Sequence, residues 1–131
     1  MTGIVLKDTT ESLVFTLGGS NSHAYTANFA KITPGGRAAD AIASSTTGVI
    51  ATTAETALVA APAAGFTHVC TSFFVRNDTA ITTTVQVAKD ISGTNRNISP
   101  LVSLTSGQSL FWSEETGFKI YLIDGGEKAA A

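Results

Sequence analysis

Leu104-Thr105-Ser106-Gly107-Gln108-Ser109-Leu110-Phe111-Trp112, followed closely by Gly117-Phe118-Lys119-Ile120-Tyr121-Leu122-Ile123-Asp124-Gly125, sets short apolar runs between polar turns. Gly107 permits a tight turn, and Leu104 and Leu110 stand three residues to either side of it, placed to plug a core. Upstream, Thr82-Thr83-Thr84-Val85-Gln86-Val87 is a β-branched run that disfavours helix and lies within a strand from Ile81 to Lys89. Phe66 to Arg76 carries apolar residues on both alternating faces, with Val69, Thr71, Phe73 and Val75 on one and Cys70, Ser72 and Phe74 on the other. Such a strand belongs in the middle of a sheet. Asn77-Asp78-Thr79-Ala80 is the turn that returns it, with Asn and Asp side chains satisfying local backbone groups. Arg96 to Leu104 forms a third strand, in which Pro100 marks an edge or a bulge. Short strands at regular spacing with turn signals between them predict an all-β fold. The expected architecture is a meander within an antiparallel β-sandwich or barrel, jelly-roll-like.

The first half is richer in Ala, Thr, Ser and Gly and less sharply patterned. Ser12 to Leu17 is a strand ended by Gly18-Gly19, and His23 to Ile32 is another, with Tyr25, Ala27 and Phe29 on one face. Pro34-Gly35-Gly36 is a turn. Arg37 to Ser45 has one large apolar residue, Ile42, too little for a helix to bury, and reads as a loop or single turn. Thr47 to Ala51 and Thr56 to Ala60 are short strand candidates, and Ala61-Pro62-Ala63-Ala64-Gly65 is a connector. The first half cannot fold alone, so its strands are expected to complete the sandwich of the second. This gives an N-terminal arm at 1–12, one β-sandwich domain at 13–125 and a C-terminal tail at 126–131.

Composition narrows the function. Of 131 residues, 14% are charged, well under the usual quarter, and the net charge is −2. With no cluster of Lys or Arg, nucleic acid is not an expected partner. A surface poor in charge is weakly defended against association, which suits a subunit that sits against copies of itself or a larger assembly. The single cysteine, Cys70, lies mid-strand as a small buried hydrophobe. The start of the chain lacks a secretory pattern, and no apolar run is long enough to span a bilayer, so no membrane partner is expected.

Reactive constellations are absent from the pattern. His23 and His68 stand alone, neither at metal-ligand spacing from another ligand. Glu114-Glu115 is an acid pair inside a turn, where carboxylates are normally solvated. The glycine pairs precede no helix, and Asp90-Ile91-Ser92-Gly93-Thr94-Asn95 lacks the acidic spacing of a Ca²⁺ loop. The reading is of a non-enzyme with no catalytic, cofactor or metal residues. The aromatics remain: Phe111, Trp112 and Tyr121 could expose a stacking surface, although alternation sends one of the Phe111–Trp112 pair inward.

Phe73-Phe74-Val75-Arg76-Asn77-Asp78-Thr79, Thr84-Val85-Gln86-Val87, Gly93-Thr94-Asn95-Arg96, Leu104 to Leu110 and Gly117-Phe118-Lys119-Ile120 follow one another as apolar strand, Asn/Asp turn, alternating strand, Gly-Thr loop, Leu-x-x-Gly-x-x-Leu and aromatic strand. That succession resembles a family of small β-sandwich virion proteins of tailed bacteriophages, and Val5 to Gly19 is similar to the starts of such proteins. Glu114-Glu115-Thr116 departs from the Asp-Gly-type turn often found there. The resemblance implies a structural component of the particle, foremost a capsid decoration (cement) protein bound to the major capsid protein, assembled in the bacterial host cytoplasm. Its implied interaction surface takes in Thr2, Ile4 and Leu6 of the arm, together with Trp112 and Tyr121. The alternative is a neck, tail-fibre or baseplate module binding host carbohydrate, with Trp112, Tyr121 or Tyr25 as stacking platforms and Asn95, Asn97 and Asp78 as hydrogen-bonding groups. Under either, a homo-oligomer is expected, a trimer ahead of a dimer.

Overall fold

Alternation of apolar with small or polar residues makes strands, and in this computed structural model, which describes residues 3–35 and 41–122, eleven strands form. They are β1 (Ile4–Leu6), β2 (Glu11–Leu17), β3 (His23–Ile32), β4 (Ile42–Ile50), β5 (Thr56–Val59), β6 (Thr67–Asn77), β7 (Thr83–Ile91), β8 (Thr94–Asn97), β9 (Val102–Leu104), β10 (Ser109–Ser113) and β11 (Gly117–Tyr121). One sheet runs β11-β10-β6-β3-β4, and the other runs β5-β2-β7-β8. β1 joins the first by pairing with β6, and β9 joins the second by pairing with β7. All pairings are antiparallel. Two sheets packed on a common core make a β-sandwich, as expected, and not a closed barrel.

The core lies between the sheets and is filled from both. Leu13, Phe15 and Leu17 come from β2, Val85 and Val87 from β7, Phe73 and Val75 from β6 and Leu110 from β10. β3 and β2 thus complete the sandwich of the second half, because neither half has enough large apolar side chains to close a layer alone.

Several local readings change. The second half is not a meander: β6 and β7 lie in opposite sheets, so Asp78 to Thr82 crosses the sandwich edge instead of closing a hairpin. The Leu104–Leu110 turn is also a crossing. Both leucines are buried, but Leu104 belongs to β9 and Leu110 to β10, in different sheets, with Gly107 at φ 77° between them. In β6 a bulge at Thr71 breaks the alternation: Asn28 pairs with Ser72 and Phe29 with Cys70. The extra residue flips parity, so Cys70 shares the core side with Phe73 and not the face of Phe74.

The strand read from Arg96 to Leu104 is split at Ile98–Leu101, around Pro100, and both pieces occupy one edge of β7. At the gap, the buried Ser99 takes the place of a ladder partner. Its hydroxyl accepts from the Val87 amide at 2.9 Å, while the Ile98 amide donates to the Val87 carbonyl at 2.9 Å.

Ile42 to Ser45 is strand, not loop, and joins the Thr47 run as β4; between Ile42 and the core-packed Ile50 its inner face carries only the small Ser44, Thr46 and Gly48, so the middle of the strand has no large residue to mark it. The N-terminal arm is likewise part of the body over its described length. Ile4, Val5 and Leu6 pair with Cys70, Val69 and His68, and Leu6 is fully buried. The tail at 126–131 lies outside the described residues.

Candidate functional site

The cross-strand register of the six-stranded sheet places its residues in rows. On the face turned away from the core, Val49, Ala24, Arg76, Ser109 and Tyr121 form one row. Thr47, Thr26, Phe74, Phe111 and Lys119 form the next, and Ser45, Asn28, Ser72, Ser113 and Gly117 the third. This outer face is a field of hydroxyls and small side chains with three half-exposed rings, Phe74, Phe111 and Tyr121. Phe111 and Tyr121 meet edge to face, their centroids 5.6 Å apart. Two cations lie within the rows, and Arg76 is held by Asp78 at 2.7 Å. The hydroxyls also tie to one another, Thr26 to Thr47 at 3.1 Å and the Asn28 amide to Ser72 at 3.1 Å, which fixes the face before anything docks on it.

The intervening rows point inward. Thr46, Ala27, Phe73, Trp112 and Phe118 make one, and Gly48, Tyr25, Val75, Leu110 and Ile120 another. Trp112 stacks on Phe73 with centroids 5.6 Å apart and tilts against Phe118. Of the Phe111–Trp112 pair it is therefore Trp112 that packs toward the core. Tyr25 leans on Phe15 at 5.2 Å and covers Gly48, where a Cβ would lie 2.7 Å from its hydroxyl oxygen. Neither ring offers a free stacking platform.

Of the described residues of the sequence-predicted surface, Tyr121 lies half-exposed on the outer face. Leu6 is buried, Ile4 is half-buried against the core, Trp112 faces inward, and Thr2 lies outside the described residues. Phe111, read as one of a pair of which one member faces inward, lies half-exposed on the outer face, and Phe74 was missed. The alternation that sends Trp112 in sends Phe111 out, but only the pairing of β6 with β10 reveals that Phe74 stands beside it.

At one end of the outer face a cleft of about 350 Å³ is lined by Arg76, Asp78, Ser106, Ser109 and Tyr121 among others. It brings Tyr121 and Asp78 together. Asn95 and Asn97 are elsewhere, on β8 of the other sheet, and the Asn95 amide donates to Glu55 at 2.6 Å.

The two histidines and the cysteine serve the fold. His23 is fully buried: Nδ1 donates to the Asn21 carbonyl at 2.7 Å, leaving Nε2 to accept from the Thr83 hydroxyl at 2.8 Å. His68 donates from Nδ1 to the Ala60 carbonyl at 3.0 Å beside the Phe29 ring, and burial lowers its pKa. Burial pushes the Cys70 thiol up to about 12, well out of the range of a reactive thiolate. Among the described residues no group of three or more His, Cys, Asp or Glu is gathered at metal-binding distance. Comparison with models of protein families, with curated proteins and with solved structures finds no match.

Proposed function

We propose that this chain is a non-enzymatic structural subunit of a tailed-phage particle, a capsid decoration protein that lies on the major capsid lattice through the outer face of its six-stranded sheet. The observation that carries this reading is the face itself: broad, nearly neutral, hydroxyl-rich and studded with Phe74, Phe111 and Tyr121. Aromatic anchors among small polar residues suit a protein partner, since they add contact area with little charge to desolvate. Weak contact per copy suffices on a lattice where many copies act together. The succession of strand and turn motifs resembling phage virion proteins supports the same reading.

Quantitative mass spectrometry of purified particles tests it. Copies in proportion to the capsid lattice are expected, and about a dozen or fewer would exclude lattice decoration, in which many weak contacts act together. Phe111→Asp should weaken binding to undecorated capsids about tenfold or more while the chain stays folded.

A second reading, a fibre or baseplate module for host-surface carbohydrate, is favoured by the juxtaposition of Tyr121 with Arg76, Asp78 and Ser109 around one cleft. A sugar ring stacked on Tyr121 would meet hydrogen-bonding groups at its rim. Binding on a glycan array that disappears with Tyr121→Ala would support it, and an array without signal would end it.

A further inference from the structure

β4 is nine residues long, and among the described residues no strand pairs with its outer edge. It is held to β3 at every position from Ile42 opposite Lys31 to Ile50 opposite His23, so its outward N–H and C=O groups stand in a fixed line. A long unpaired edge is a template for another strand, and folded chains ordinarily blunt such edges by shortness, charge or proline. The other outer strands conform. β1, β5, β8 and β9 span three or four residues, β8 carries Arg96, and β11 has five residues including Lys119. β4, Ile-Ala-Ser-Ser-Thr-Thr-Gly-Val-Ile, has no charge and no proline, and it leaves Ile42 54% and Val49 66% exposed.

We propose that β4 is a self-pairing edge: two copies of this chain join β4 to β4, antiparallel, about a two-fold axis at Thr46. A two-fold axis normal to the sheet keeps outer face beside outer face, so only registers that pair residues of like face are open. With Thr46 on the axis all nine residues overlap. Ile42 then meets Ile50 of the second copy, Ala43 meets Val49, Ser44 meets Gly48, and Ser45 meets Thr47. Both exposed apolar side chains gain apolar partners, and no charge meets a like charge. Sliding the copies by two residues sets Val49 against Ser45 in one direction, or Ile42 against Gly48 in the other. A self-paired edge generates a dimer, not the three-fold arrangement expected from positions in a particle. It also doubles the hydroxyl-and-aromatic outer face into one continuous surface. The pairing does not depend on whether the larger assembly is a capsid or a fibre.

Sedimentation of the full chain over about 1 µM to 1 mM should reveal a monomer–dimer equilibrium, since one strand pair is a small interface. Ser45→Lys with Thr47→Lys sets like charges directly opposite one another twice and should weaken the dimer about tenfold or more. Mixing that variant with Ser45→Glu/Thr47→Glu should restore association as a heterodimer. Thr46→Cys should oxidise to a covalent dimer, since paired Cα atoms about 4.5–5.5 Å apart suit a disulfide, and Asn97→Cys on β8 should not. Cys70, fully buried, does not compete. A monomer at the highest concentration without Thr46→Cys cross-linking would overturn the proposal. So would association that survives Ser45→Lys/Thr47→Lys and leaves Thr46→Cys uncrosslinked.

Discussion

Asn77 does more than an ordinary turn residue. Its buried side-chain amide donates to the carbonyls of Ile81 at 2.7 Å and Leu104 at 3.0 Å, while its Oδ1 accepts from the Thr79 amide at 2.9 Å and hydroxyl at 2.7 Å. Its backbone donates to Gln108 and accepts from Gly107, so one residue fastens both crossings at this end of the sandwich. Asn77→Ala removes the buried donor to the Leu104 carbonyl and the acceptor of the Thr79 amide and hydroxyl, and chemical denaturation should register a loss of about 3 kcal/mol. His68 sets a pH dependence. Burial holds its pKa below the ordinary 6.5, so in the acid range the unfolded chain takes up the proton first. Stability present above 6.5 should therefore fall as pH drops from there through the folded-state pKa. His68→Gln, which retains a donor for Ala60, should flatten that part of a melting-temperature profile. Asp8, whose carboxylate accepts from Thr10, titrates below 3.8 and so acts in a separate, more acid window.

At the scale of the element, β10 presents adjacent aromatic residues to two different surroundings. Trp112 is stacked on Phe73 between the sheets, and Phe111 lies half-exposed on the outer face. Trp112→Ala should cost about 2–3 kcal/mol through lost packing and the cavity left behind. Phe111→Ala should cost about 1 kcal/mol. Paired urea titrations check the difference, and equal losses would contradict the assignment of faces. β4 illustrates the opposite case. In its middle the inward residues are small, and at Gly48 the ring of Tyr25 from the neighbouring strand fills the space a side chain would take. The middle of this strand is thus covered by its neighbour's ring, and its own apolar contact with the core comes at Ile50.

The chain as a whole passes between the two sheets six times, at β1–β2, β2–β3, β4–β5, β5–β6, β6–β7 and β9–β10. Neither sheet is a contiguous piece of sequence, so neither can unfold and leave the other intact. Unfolding in urea should be a single transition in which Trp112 fluorescence, a probe of one sheet, coincides with far-ultraviolet dichroism, a probe of both. Separated midpoints would show that the sheets are independent.

Much of this was legible in the sequence because it rests on local chemistry. β-branched runs, alternation, and turns at Asn77, Gly107 and Pro34-Gly35 define an all-β chain, and β3 runs over His23–Ile32 as read. Burial of Cys70 and of both leucines around Gly107 follows from the same patterns. What the sequence could not determine is which strands are neighbours. A turn and a crossing have the same local chemistry, so β6 and β7 read as a hairpin although they pair with β3 and β2. A bulge at Thr71 carries no residue signature, yet it reverses which side chains face the core. The outer face of Phe74, Phe111 and Tyr121 and the open edge of β4 arise from pairings between residues distant in the chain. Alternation assigns each side chain a face relative to its own strand, and only the tertiary structure decides which strand lies beside it.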